Sequence, residues 1–187
     1  DYNDVNYKIN QTFSILLFFT LPMTLGISFL SNSIWNVFYG VSEYGPSVLS
    51  YFIFVGFMIG LFTSTVSIVQ VLKDYKTVIW SLVIGVGLKF LLNNNLIMAF
   101  YKMGVPAYYG VITASLIGYF VSFMICIIRL KFKYRINYED LTKNFIDIVC
   151  GSMLMVIGLF LVDLFLPSTN VRVVNLGYIV IYVVVGC

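Results

Sequence analysis

The residue with the clearest chemical potential in this sequence is an ammonium group in the middle of an apolar run. Lys89 sits near the centre of a stretch from Thr77 to Phe100 that is otherwise uncharged. If that stretch crosses a bilayer, a charged side chain at its centre costs roughly 2.5 to 3.5 kcal/mol on insertion scales, so something must compensate it. Helical spacing places Gly85, Lys89 and Asn93 on one stripe, and Asn94 and Asn95 add polarity just beyond. Such a stripe faces protein or water. A cation there, lining an aqueous cavity, can hold a phosphate, carboxylate or pyrophosphate group through charge-assisted hydrogen bonds. The alternative is a structural lysine, satisfied by carbonyls or by a carboxylate on a neighbouring helix.

A second polar and small stripe runs through Gly56, Gly60, Thr63, Ser67 and Gln70 at steps of three and four residues. Gly56 and Gly60 form a GxxxG pair, which lets helix backbones approach closely, so packing is the expected role of these glycines. Thr63, Ser67 and Gln70 can line a cavity or make interhelical hydrogen bonds. Gly110, Ala114, Gly118 and Ser122 repeat at four-residue steps and read as a packing stripe. Pro22 removes a backbone hydrogen bond and is expected to kink its helix as a hinge or bend, with Thr20, Thr24 and Gly26 nearby to tolerate the distortion. Catalysis finds no support: the chain has no His, no pair of carboxylates inside an apolar segment, and neither a Gly-rich phosphate loop nor metal-ligand spacing. Cys126, Cys150 and Cys187 match neither zinc pairs nor a disulfide framework and read as buried free thiols. No metal, cofactor or nucleic acid is called for.

The elements that must carry these residues are transmembrane helices. Hydrophobic residues make up 60% of the chain, charged ones 10%, and mean hydropathy is +0.97; soluble domains carry about 25% charged residues. Apolar runs of eighteen or more residues recur, each long enough to cross a hydrocarbon core of about 30 Å. The spans expected are Ile9 to Leu30, Ser47 to Leu72, Thr77 to Phe100, Val105 to Leu130 and Phe145 to Leu166, with a sixth from near Val171 cut off by the end of the chain. These are continuous runs, about twice the length of barrel strands, so the fold class is an all-α polytopic transmembrane bundle of about six helices. The start at Asp1 and the stop at Cys187 inside an apolar run read as an excerpt. Lys8, Lys73, Lys76, Arg129, Lys131, Lys133, Arg135 and Lys143 fall on one side of the membrane and only Lys102 and Arg172 on the other. The richly basic side is expected to be cytoplasmic, with residues 131–143 as its main loop.

Several phrases then follow in order: Leu21-Pro22 with Gly26, Ile34 through Phe38-Tyr39-Gly40, and Leu49-Ser50-Tyr51. Downstream come Tyr75-Lys76, Lys89, Leu92-Asn93, Gly104, and Gly110-Val111-Ile112-Thr113-Ala114. The succession resembles the polysaccharide and lipid II flippases of the multidrug/oligosaccharidyl-lipid/polysaccharide (MOP) exporter superfamily, of the MurJ and stage V sporulation protein B type, over nearly the whole chain. The resemblance implies a MATE-like V of two six-helix lobes around a central cavity. Residues 1–130 would be the last four helices of the C-terminal lobe, and 144–187 two additional C-terminal helices bordering a groove for the lipid tail. The implied function is alternating-access movement of an undecaprenyl-linked oligosaccharide or the peptidoglycan precursor lipid II from the inner to the outer leaflet of the bacterial cytoplasmic membrane. On that reading Lys89 contacts pyrophosphate, and membrane lipids are the other partners. Two further readings stand beside it. A MATE-type multidrug exporter would use a membrane-buried acid, and none lies deep in these segments. A structural or assembly subunit would pair Lys89 and leave no cavity at it.

Overall fold

In the computed structural model the described residues are 2–165, and all the secondary structure among them is helical. Six helices follow one another: α1 (Tyr2–Phe29), α2 (Ser31–Tyr39), α3 (Gly45–Val71), α4 (Tyr75–Lys102), α5 (Tyr108–Tyr134) and α6 (Glu139–Phe165). Five of them, all but α2, are long and apolar enough to cross a membrane. The chain is thus a multi-pass membrane protein of the expected all-α class. The expected sixth span, from Val171, lies outside the described residues.

The helices outrun the apolar segments that announce them. α5 continues four residues past Leu130 through Lys131 and Lys133, because cations in a last turn are favoured by the helix dipole and backbone groups leaving the bilayer stay hydrogen-bonded. It stops at Arg135, which takes a left-handed φ of 52°. The amides of Arg135 and Ile136 both turn back to the carbonyl of Leu130, which closes the helix end and folds Ile136 into the interior. The non-helical part of the 131–143 connection is therefore short. α3 ends in the same manner: Lys73 at φ 58° reverses the chain, and the Asp74 amide reaches the Val69 carbonyl.

α2 was not expected. It buries Ser31, Ser33 and Asn36 and leaves Phe38 and Tyr39 exposed, with Val41 and Tyr44 exposed just beyond. Aromatic side chains of this kind are favoured at the membrane–water boundary.

The described residues divide into two units. In the first, residues 2–16 and 54–142, the core joins Ile9 and Phe13 of α1, Phe62 and Val69 of α3, Val78 of α4, and Cys126 and Leu130 of α5, closed by Ile136. In the second, residues 17–53 and 143–165, Leu30 and Leu159 pack with Phe29, Ile34 and Met155. There the hydroxyl of Ser28 lies 2.9 Å from that of Ser50 and 3.0 Å from its carbonyl oxygen. Large apolar side chains such as Phe18, Trp80, Phe90, Leu91 and Leu154 stay exposed, as expected where the surrounding solvent is lipid.

Candidate functional site

The α4–α5 pair builds the site. Apolar helices gain little from mutual burial in lipid, so close backbone approach through small residues has to hold them. Gly85, Gly110, Ala114, Gly118 and Ser122 are all buried. A Cβ at Gly85 would overlap the Ser122 hydroxyl and sit 2.7 Å from the Gly118 carbonyl oxygen. One at Gly110 would lie 2.7 Å from the Ile97 amide nitrogen. Ser122 Oγ is within reach of the Ser81 carbonyl of α4 at 2.9 Å and of the Gly118 carbonyl at 3.0 Å. Cys126 Sγ donates to Ser81 Oγ at 3.3 Å. The packing role read for the Gly110-to-Ser122 stripe agrees with this geometry.

Above the contact the helices leave a cavity of about 370 Å³. Gly85, Lys89 and Asn93 of α4 form one wall, and Ser115, Gly118, Tyr119 and Ser122 of α5 the other. The stripe that spacing alone placed on one face thus lines one hollow. Lys89 is half-buried there and has no carboxylate partner among the described residues. Asn93 Oδ1 is buried with no hydrogen-bond partner among them. A cation and an open amide oxygen on a largely apolar wall can receive a ligand with both acceptor and donor groups, such as a phosphorylated sugar.

Thr63, Ser67 and Gln70 are not among the residues lining that cavity. They lie exposed along α3, where Ser67 Oγ donates to the Thr63 carbonyl at 3.0 Å. No described atom beyond the adjoining backbone of α3 itself lies within 4 Å of a Cβ built at Gly56 or Gly60, so the packing expected of that GxxxG pair is not made among the described residues. Pro22 and Gly26 stand inside α1, which continues through them as helix. The Thr24 hydroxyl donates to the Thr20 carbonyl at 2.7 Å, and Gly26 faces the Met155 side chain.

One cluster escaped the reading of the sequence. The Asp74 carboxylate, almost fully buried in the α3–α4 turn, is 2.8 Å from Lys133 Nζ and 3.3 Å from Arg129 Nε. The hydrogen bond from Lys133 outweighs burial and, with help from Thr77 and Arg129, holds the Asp74 pKa down at about 2. Counting only cations along the basic side hid it; an acid among Lys73 and Lys76 was the available signal.

No protein-family model matches the chain, and no solved structure matches it. Over 167 residues it is 32% identical to the lipid II flippase MurJ of Bacillus subtilis (strain 168), a match covering 87% of this chain and 30% of that relative's length. Most of this chain is similar to a segment of a MurJ-type flippase, which is the resemblance that the order of its motifs carries.

Proposed function

We propose that this chain is part of a flippase that carries a lipid-linked oligosaccharide or peptidoglycan precursor from the inner to the outer leaflet of the bacterial cytoplasmic membrane by alternating access. The observation that carries the reading is Lys89: a cation without a carboxylate partner among the described residues, in a membrane-length helix, at the wall of a cavity. A structural lysine would be paired, and an assembly helix would need no hollow there. The likeness to a lipid II flippase over part of that relative's length supports the substrate class. Sugars and pyrophosphate cannot cross hydrocarbon unaided, since each unsatisfied polar group costs several kcal/mol. A cavity that offers a cation and an amide replaces part of their water while the acyl tail remains in lipid.

On this reading Lys89 meets the pyrophosphate and Asn93 a sugar hydroxyl, while Thr63, Ser67 and Gln70 form a separate exposed polar stripe along α3. α1, α3, α4 and α5 are the last four helices of a lobe, and α6 the first of an additional pair. Pro22 and Gly26 allow α1 to bend during the cycle.

The test depletes the full-length protein in its native bacterium, restores wild type, Lys89→Ala or Lys89→Arg at matched expression, and quantifies undecaprenyl-linked precursor on each leaflet. Inner-leaflet accumulation should be rescued by wild type, partly by Lys89→Arg and poorly by Lys89→Ala. No accumulation on depletion overturns the flippase; full rescue by Lys89→Ala overturns the site.

A further inference from the structure

A second hollow opens where α5 leaves the membrane. Its volume is about 600 Å³ and its walls are Val5 and Asn6 of α1, Leu72 after α3, and Lys133, Tyr134, Arg135 and Ile136. It lies apart from Lys89, and none of its residues lines the α4–α5 cavity.

Its chemistry is divided. Val5, Leu72, Ile136 and the Tyr134 ring form an apolar floor, and the Tyr134 hydroxyl donates to the Leu72 carbonyl at 3.4 Å. Lys133 Nζ stands 5.2 Å from the centre of the Tyr134 ring, and Arg135 lies beside it in sequence and lines the same hollow. Asp74 is the only carboxylate ion-paired here among the described residues, and it is shared by Arg129 and Lys133. Arg135 has no ion pair among the described residues and is exposed. The left-handed φ of 52° at Arg135 is a conformation that non-glycine residues rarely adopt, and it turns the chain so that Ile136 enters the core while Arg135 stays at the rim. Among the described residues that line it, the hollow therefore carries two cations and no carboxylate over apolar lining.

Its depth in the membrane follows from the sequence around it. The apolar run of α5 gives way at Arg129, and basic positions follow at Lys131, Lys133 and Arg135, so the hollow sits at headgroup level on the basic side. A soluble anion would use the cations and waste the floor. A phospholipid with a phosphate headgroup uses both, and basic pockets between transmembrane helices on this side are suited to such headgroups.

We propose that this hollow binds the phosphate headgroup of an anionic phospholipid of the inner leaflet, with Arg135 and Lys133 on the phosphate and the first part of an acyl chain over Val5, Leu72 and Ile136. The inference does not depend on the flippase reading; it requires only a membrane chain with its basic side facing an anionic leaflet.

The test uses the purified full-length protein in detergent and measures bound lipid by native mass spectrometry against phosphatidylglycerol, phosphatidylcholine and inorganic phosphate. Phosphatidylglycerol should bind at least about tenfold more tightly than phosphatidylcholine. Arg135→Gln should weaken phosphatidylglycerol about fivefold, the amount expected of one cation near an anionic surface. Lys143→Gln, outside the hollow, should change it less than twofold. Arg135 is exposed, so its variant is expected to fold, and an unchanged thermal midpoint confirms this. Equal binding of the two lipids, unaltered binding by Arg135→Gln, or an equal loss with Lys143→Gln would overturn the proposal. Displacement of the lipid by equimolar inorganic phosphate would also overturn it, since the apolar floor would then contribute nothing.

Discussion

Lys89 and Asp74 are opposite cases of a charge placed by the fold. Lys89 stands at a cavity wall without a carboxylate among the described residues, whereas Asp74 is held between two cations at the membrane boundary. For Asp74 the consequence can be read in pH. Its folded pKa of about 2 lies below the ordinary value of 3.8, so the stability it lends is fully present above about pH 4. That stability is lost as pH falls through about 2. Asp74→Asn should therefore lower the thermal midpoint at neutral pH, and the gap to wild type should close between about pH 4 and pH 2. A gap that stayed constant over that range would mean that the carboxylate charge is not what holds α5 to the α3–α4 turn. Lys133 and Arg129 are each about half exposed, so the effect should also shrink in high salt.

At the scale of elements, the α4–α5 contact is set by backbone proximity. The glycines there meet carbonyls and amides that cannot rotate away, unlike a flexible side chain. Gly85→Leu should cost about 1 to 3 kcal/mol or more as overpacking and lower the thermal midpoint of the full-length protein by several degrees. Gly87, two residues on and facing open space, is the matched control, and Gly87→Leu should leave the midpoint nearly unchanged. Helix propensity favours Leu over Gly at both positions, so equal losses from the two would show that the α4–α5 contact does not decide the result. The same contact makes the cavity, because Gly85 and Gly118 close its base while Lys89, Asn93 and Tyr119 stand where the helices leave room. Separating the helices should thus also weaken any ligand that depends on Lys89.

For the whole molecule, the division of Lys and Arg predicts the direction of every span. In a background free of native cysteines, a cysteine at Lys131 should be labelled by an impermeant maleimide only after the cytoplasmic side is opened, and one at Met103 from outside in intact cells. Reversed labelling would invert the orientation and move the Arg135 hollow to the outer leaflet. The five spans found among the described residues, their helical nature and this charge asymmetry were all legible in the residues, because a bilayer imposes long apolar runs and satisfied backbone on any chain that crosses it. So was the single stripe of Gly85, Lys89 and Asn93, since helical periodicity alone sets it. What sequence could not supply was the partner of each stripe. Four-residue spacing of small residues looks the same in α3 and α5, yet the α5 stripe is locked against α4 while Gly56 and Gly60 meet no described neighbouring helix. The ion cluster at Asp74 and the hollow at Arg135 likewise join residues far apart in the chain, brought together by left-handed turns at Lys73 and Arg135 that no residue preference announces. Periodicity is a local property of one helix, whereas contact depends on which helix arrives beside it, and only the tertiary structure decides that.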